Sequence, residues 1–95
     1  SKVFARQLEA IALPRDILFC LTTSGNSENL LNAAEKARQI GCTVISLTGS
    51  KKNKLEELSN INIKVNSENI PRIQEIHLFL IHEFAQRIED AFENK

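Results

Sequence analysis

Thr22-Thr23-Ser24-Gly25-Asn26-Ser27 sets four hydroxyls and a glycine within six residues. The stretch follows an apolar run opened by Asp16 and precedes an amphipathic one, Glu28–Ile40. It therefore reads as a turn at the carboxyl end of a strand, opening a helix. Ligands of open α/β sheets bind at that end. A helix N-terminus offers unpaired N–H groups and partial positive charge, which suits phosphate. The hydroxyls add donors, and the glycine permits close approach. The loop holds no lysine, so it does not match a nucleotide P-loop. The competing reading is a cluster of helix-capping residues, and on composition alone capping leads.

A second constellation lies in Arg72-Ile73-Gln74-Glu75-Ile76-His77-Leu78-Phe79-Leu80-Ile81-His82. Read as a helix, Gln74 and His82 differ by about 80° around the axis and about 12 Å along it. They could share a ligand only if it sat between them. His77 would lie about 140° from His82, on another flank. On spacing alone, both histidines are better read as satisfied core residues. Lys51, Lys52 and Lys54 could help hold an anion near Thr48-Gly49, but a solvated helix start is favoured.

The elements that must position these residues follow from periodicity. Val3, Phe4, Leu8 and Ile11 recur at helical spacing over residues 2–12, and Leu13-Pro14-Arg15 ends that helix. Asp16 opens a continuous apolar run, and residues 16–21 read as a strand covered on both faces. Leu30, Leu31, Ala33, Ala34, Ala37 and Ile40 mark the next helix, and Gly41 its C-cap. Residues 42–47 give a second strand and residues 52–59 a short helix. Residues 60–65 alternate, with Ile61, Ile63 and Val65 on one side and Asn60, Asn62 and Lys64 on a wet one: an edge strand. Pro71 fits the first turn of a final helix reaching about residue 93. The order α-β-α-β-α-β-α requires crossovers and a parallel sheet of three strands. The first strand and the apolar girth of residues 76–85 both call for further covering partners.

Composition bounds the function. The chain has 95 residues, 42% hydrophobic and 25% charged, with formal net charge zero. That is one small globular domain with no general attraction to nucleic acid or anionic membrane. No apolar run reaches the length of a membrane span. Cys20 and Cys42 sit in strand-like stretches and read as buried free thiols of a cytosolic protein, not as a disulfide or a metal site.

On Phe4–Ile11, Thr22–Gly41, Leu47–Gly49 and Arg72–His82, the chain resembles the C-terminal half of a sugar-isomerase (SIS) domain, closest to the phosphoheptose isomerases. The resemblance runs through nearly all of residues 1–95. It implies a three-layer α/β/α, flavodoxin-like fold with a parallel sheet, here a partial domain with three strands. It implies a cytoplasmic, homotetrameric enzyme interconverting sedoheptulose 7-phosphate and heptose 7-phosphate for bacterial lipopolysaccharide or capsule. It carries phosphate binding onto Thr22, Thr23, Ser24 and Ser27, zinc ligation onto Gln74 and His82, and proton transfer onto His82.

The sequence departs from the family pattern in three ways. The N-terminal half, with a further sugar loop and two more zinc ligands, is absent, so the isolated chain is expected to be inactive. Pro71 stands where an acidic residue is common. The TG-x-x-GG turn reads Thr48-Gly49-Ser50-Lys51-Lys52-Asn53, and Asn adopts a left-handed conformation less readily than Gly. Two other readings remain: a non-catalytic SIS adaptor that associates with the replication initiator, and a sugar-phosphate sensor.

Overall fold

The computed structural model describes residues 3–66 and 77–82. Along the chain run α1 (Val3–Ile11), β1 (Ile17–Leu21), α2 (Glu28–Ile40), β2 (Thr43–Gly49), α3 (Lys54–Leu58), β3 (Ile61–Val65) and β4 (His77–Ile81). The sheet order is β3-β2-β1-β4. β1 pairs β2 in parallel, and β2 pairs β3 in parallel, each through a helical crossover. Both crossovers step the same way across the sheet. Right-handedness therefore puts α2 and α3 on the same face.

That face carries the core. Leu18, Cys20 and Val44 point from β1 and β2 onto Leu8, Leu30, Ala33, Ala34, Ala37 and Leu55. The three alanines let α2 lie close to the sheet, and Gly41 ends it at φ 107°, bonding back to Ala37 and Arg38. The described helices thus supply one of the two helical layers expected. On the other face Phe79 and Ile81 of β4 and Ile61 and Ile63 of β3 are 40–52% exposed.

Two expectations are corrected. The helix expected through residues 71–93 is a strand at His77–Ile81, antiparallel to β1, so among the described residues the sheet has four strands and is mixed. HLFLI is a short unbroken apolar run, which periodicity cannot assign to helix or strand. Here it pairs the edge of β1 away from β2, whose backbone groups otherwise lack partners. Residues 71–76 and 83–93 of that expected helix, including Pro71, lie outside the described residues.

The second correction concerns β3. It is an edge strand, but Asn62 faces inward, not the isoleucines, while Asn60, exposed just before the strand, turns its amide back to β2. Asn60 Oδ1 accepts the N–H of Val44 at 2.8 Å, and Asn62 Nδ2 donates to Ser46 Oγ at 2.7 Å and Thr48 Oγ1 at 3.2 Å. Ser46 and Thr48 are buried on β2, and a buried hydroxyl without a partner is costly. These hydroxyls are also bonded to Ser59 Oγ and Asn53 Nδ2, so Asn62 joins a buried polar cluster, and by the two-residue period Ile61 and Ile63 then point out.

Candidate functional site

The Thr22–Ser27 loop leaves β1 at its carboxyl end and is fastened first to β2. Thr22 N–H donates to Leu47 O at 3.1 Å, and Gly49 N–H to Thr23 O at 3.0 Å. The backbone turns at Gly25 (φ 66°), in the left-handed region where glycine is favoured. Thr22 and Gly25 are buried, Thr23 and Ser27 half-buried, and Ser24 and Asn26 exposed.

Ser27 occupies the N-cap position of α2, yet its side chain makes no capping hydrogen bond. Ser27 is therefore not the cap that its position would suggest. The hydroxyl at the head of the helix is not spent on the helix, and α2 presents its first turn without that cap. Ser24 Oγ accepts the Asn26 N–H at 3.4 Å, a long bond. The four hydroxyl residues expected to grip an anion are thus brought together at one helix start.

The loop is fastened a second time, to the start of α3, a role that sequence reasoning did not give to Asn53, Lys54 or Leu55. Leu55 N–H donates to Gly25 O, and Lys54 N–H to Asn26 Oδ1, both at 3.0 Å. Asn53 is the N-cap of α3 in a full capping box with Glu56. Its φ of −148° is extended, so the left-handed geometry weighed against Asn at this turn is not required. The signal was present: Asn53-Lys54-Leu55-Glu56 has the spacing of a capping box. The Glu56 carboxyl is held below its ordinary value by the Asn53 N–H and then by Lys64, 3.0 Å away. Lys51, Lys52 and Lys54 are exposed, as a solvated helix start should be.

His82 lies elsewhere. Its Nδ1 is 2.9 Å from Oδ2 of Asp16, a carboxylate only 1% exposed at the start of β1. The loop leaves the other end of β1, and a five-residue strand spans roughly 17 Å. One described chain therefore does not bring His82 and the loop onto a single small ligand. His77, paired with Leu21, is the histidine at the loop end of β4, and it stacks on Phe79 at 6.4 Å between ring centroids. The helical spacing considered for Gln74 and His82 does not apply across β4, and Gln74 lies outside the described residues. Among the described residues no group of three or more His, Cys, Asp and Glu is placed to hold a metal ion. Cys20 and Cys42 are free and buried, and burial pushes the Cys20 thiol up to about 12.

Comparison with known proteins agrees with this loop and sheet. The SIS domain family matches residues 1–49. The phosphoheptose isomerase of Helicobacter pylori (strain Shi470) is 45% identical over 95 residues, all of this chain and 50% of that protein. That of Aliarcobacter butzleri is 46% identical over 90 residues, 95% of this chain and 48% of that protein. A solved phosphoheptose isomerase from Francisella tularensis superposes with a TM-score of 0.66 at 41% identity, covering 72% of this chain and 39% of that one. The chain spans about half the length of the curated relatives it matches. With β1, the hydroxyl loop and α2 falling inside the matched segment, this chain belongs to the SIS domain family.

Proposed function

We propose that this chain is the C-terminal part of an SIS domain and carries the phosphate grip of a phosphosugar isomerase. The observation that carries the reading is the uncapped Ser27, at the head of α2 in a loop of four hydroxyl residues. The names of the relatives point to a phosphoheptose as substrate class, and the family resemblance implies sedoheptulose 7-phosphate.

Aldose–ketose isomerisation takes a proton from a carbon beside a carbonyl and returns it to the neighbouring carbon. Holding the phosphate far from the reacting carbons orients the substrate without touching the chemistry. Thr22, Thr23, Ser24 and Ser27 do this holding. Proton transfer is assigned to His82 by family resemblance. Asp16 fixes the His82 ring through Nδ1 and leaves Nε2 to act. Given the length of β1, the loop and the His82 that serve one substrate come together only in a fuller domain or assembly.

Zinc belongs to the same proposal. A carboxylate on one ring nitrogen is the usual way of orienting a metal-ligating histidine, so Asp16 suits His82 to that role. Gln74 would be the second ligand. Two are short of a tetrahedral set, and the others would come from outside these 95 residues. When bound, the metal polarises the oxygens that carry enediolate charge. A cytoplasmic homotetramer is expected on the same footing. The exposed apolar face of β3 and β4 gives such an assembly surface to bury.

The test is an assay of the longest natively encoded protein, zinc-loaded, for conversion of sedoheptulose 7-phosphate, with Ser27→Ala and His82→Ala controls. Turnover that needs both side chains supports the isomerase. A folded protein that binds the sugar phosphate without converting it rules the isomerase out, in favour of the adaptor or sensor.

A further inference from the structure

We infer that Asn53 is a positioning residue for the hydroxyl loop, acting through Gly25; the inference rests on the phosphate reading of that loop. Gly25 is buried, and a β-carbon placed on it would collide with Oδ1, Cγ and Cβ of Asn53. The asparagine side chain therefore packs directly against the backbone of the loop at its left-handed turn.

Asn53 is rigid enough to define that position. It is 6% exposed, and both halves of its amide are engaged. Oδ1 accepts the Glu56 N–H at 3.0 Å, while Nδ2 donates to Thr48 Oγ1 at 3.1 Å and to Lys51 O at 3.0 Å. Thr48 is in turn held by Asn62, which also holds Ser46, so a polar chain runs from β3 through β2 to the underside of the loop.

Two further bonds bracket the contact, from Leu55 N–H to Gly25 O and from Lys54 N–H to Asn26 Oδ1. The loop is thus clamped at Gly25 and Asn26, between Ser24 and Ser27. A phosphate site made of several weak donors depends on their relative placement being fixed beforehand. Asn53 supplies that placement without touching the ligand.

A plain helix cap would make a different prediction. Serine caps about as well as asparagine and is neutral, but lacks the amide donors and the bulk that rests on Gly25. The experiment titrates inorganic phosphate into the full chain. It follows the Ser24, Gly25 and Ser27 amides by NMR, with hydrogen exchange of the Leu55 amide as an independent reading of the clamp. Asn53→Ser should lose about tenfold in phosphate affinity, equivalent to about 1.4 kcal/mol, and should speed Leu55 exchange. Gly25→Ala should lose more, and Gly25→Ala with Asn53→Ser should recover part of that loss. An Asn53→Ser chain with unchanged affinity and unchanged Leu55 exchange overturns the inference. So does a double variant no better than Gly25→Ala. A wild-type chain that shows no phosphate response overturns the phosphate reading itself, and the role of Asn53 with it.

Discussion

Oδ2 of Asp16 accepts the Leu13 N–H at 2.8 Å and lies 2.9 Å from Nδ1 of His82, so one buried carboxylate ties the entry to β1 to the exit from β4. A buried carboxylate stripped of a partner is costly. Replacing His82 with alanine should lower stability by about 1–2 kcal/mol, and replacing Asp16 with alanine by about 2–3 kcal/mol. Urea denaturation measures both. A His82→Ala chain as stable as wild type would mean that the pair contributes nothing to holding β4.

Ser27 separates capping from binding. An ordinary N-cap serine costs about 1 kcal/mol when changed to alanine. Ser27 makes no capping bond, so Ser27→Ala should leave the denaturation midpoint nearly unchanged while weakening phosphate binding. The reverse pattern, lower stability with full binding, would return the loop to a capping role.

Glu56 makes the start of α3 acid-sensitive. Its folded value lies below the ordinary 4.5, through the Asn53 N–H first and Lys64 second. A depressed carboxyl contributes stability that is complete above the unfolded value and is lost as pH falls through the folded one. Stability should therefore be flat above about pH 5 and fall below about pH 4.5. Glu56→Gln should flatten that fall. A variant with the same acid limb as wild type would show that Glu56 is not its source.

The thiols should be inert. Cys20 is fully buried and pushed up to about 12 by burial, and Cys42 is raised by burial and then by the Asp16 charge. Cys42 Sγ also donates to Leu13 O at 3.5 Å. Since the thiolate is the reactive form, iodoacetamide at about pH 8 should label neither cysteine in the folded chain and both in urea. Mass spectrometry reads the result, and rapid labelling of the folded chain would contradict the burial.

Much of the framework was legible in the sequence, for identifiable reasons. Glu28–Ile40 has helical periodicity, and Gly41 is a residue suited to the left-handed C-cap it forms. The apolar run of β1 marked a central strand, and it pairs β2 at the parallel centre of the sheet, although both strands are buried only at alternate residues and not on both faces as expected. Where the reading went astray, the deciding force was non-local. Nothing within HLFLI separates helix from strand, and the open edge of β1 decided it. Nothing within Ile61–Val65 says which side is wet. The register with β2, which sets Asn62 against Ser46 and Thr48, decided that. In the candidate site the hydroxyls were visible as a cluster. Asn53 was visible only as a departure from a pattern, because its work is done against a glycine 28 positions away.

The inward turn of Asn62 has a practical side. Ile61 and Ile63 at one edge of the sheet and Phe79 and Ile81 at the other face outward, on strands whose outer edges have no strand partner among the described residues. Sticky side chains beside an open ladder are the ingredients of strand-to-strand aggregation. Kept alone and concentrated, the chain should cloud and bind hydrophobic dyes. A lysine at Ile61 or Ile63 should keep it clear without disturbing the hydroxyl loop, which makes those two positions the natural handles for preparing it in quantity.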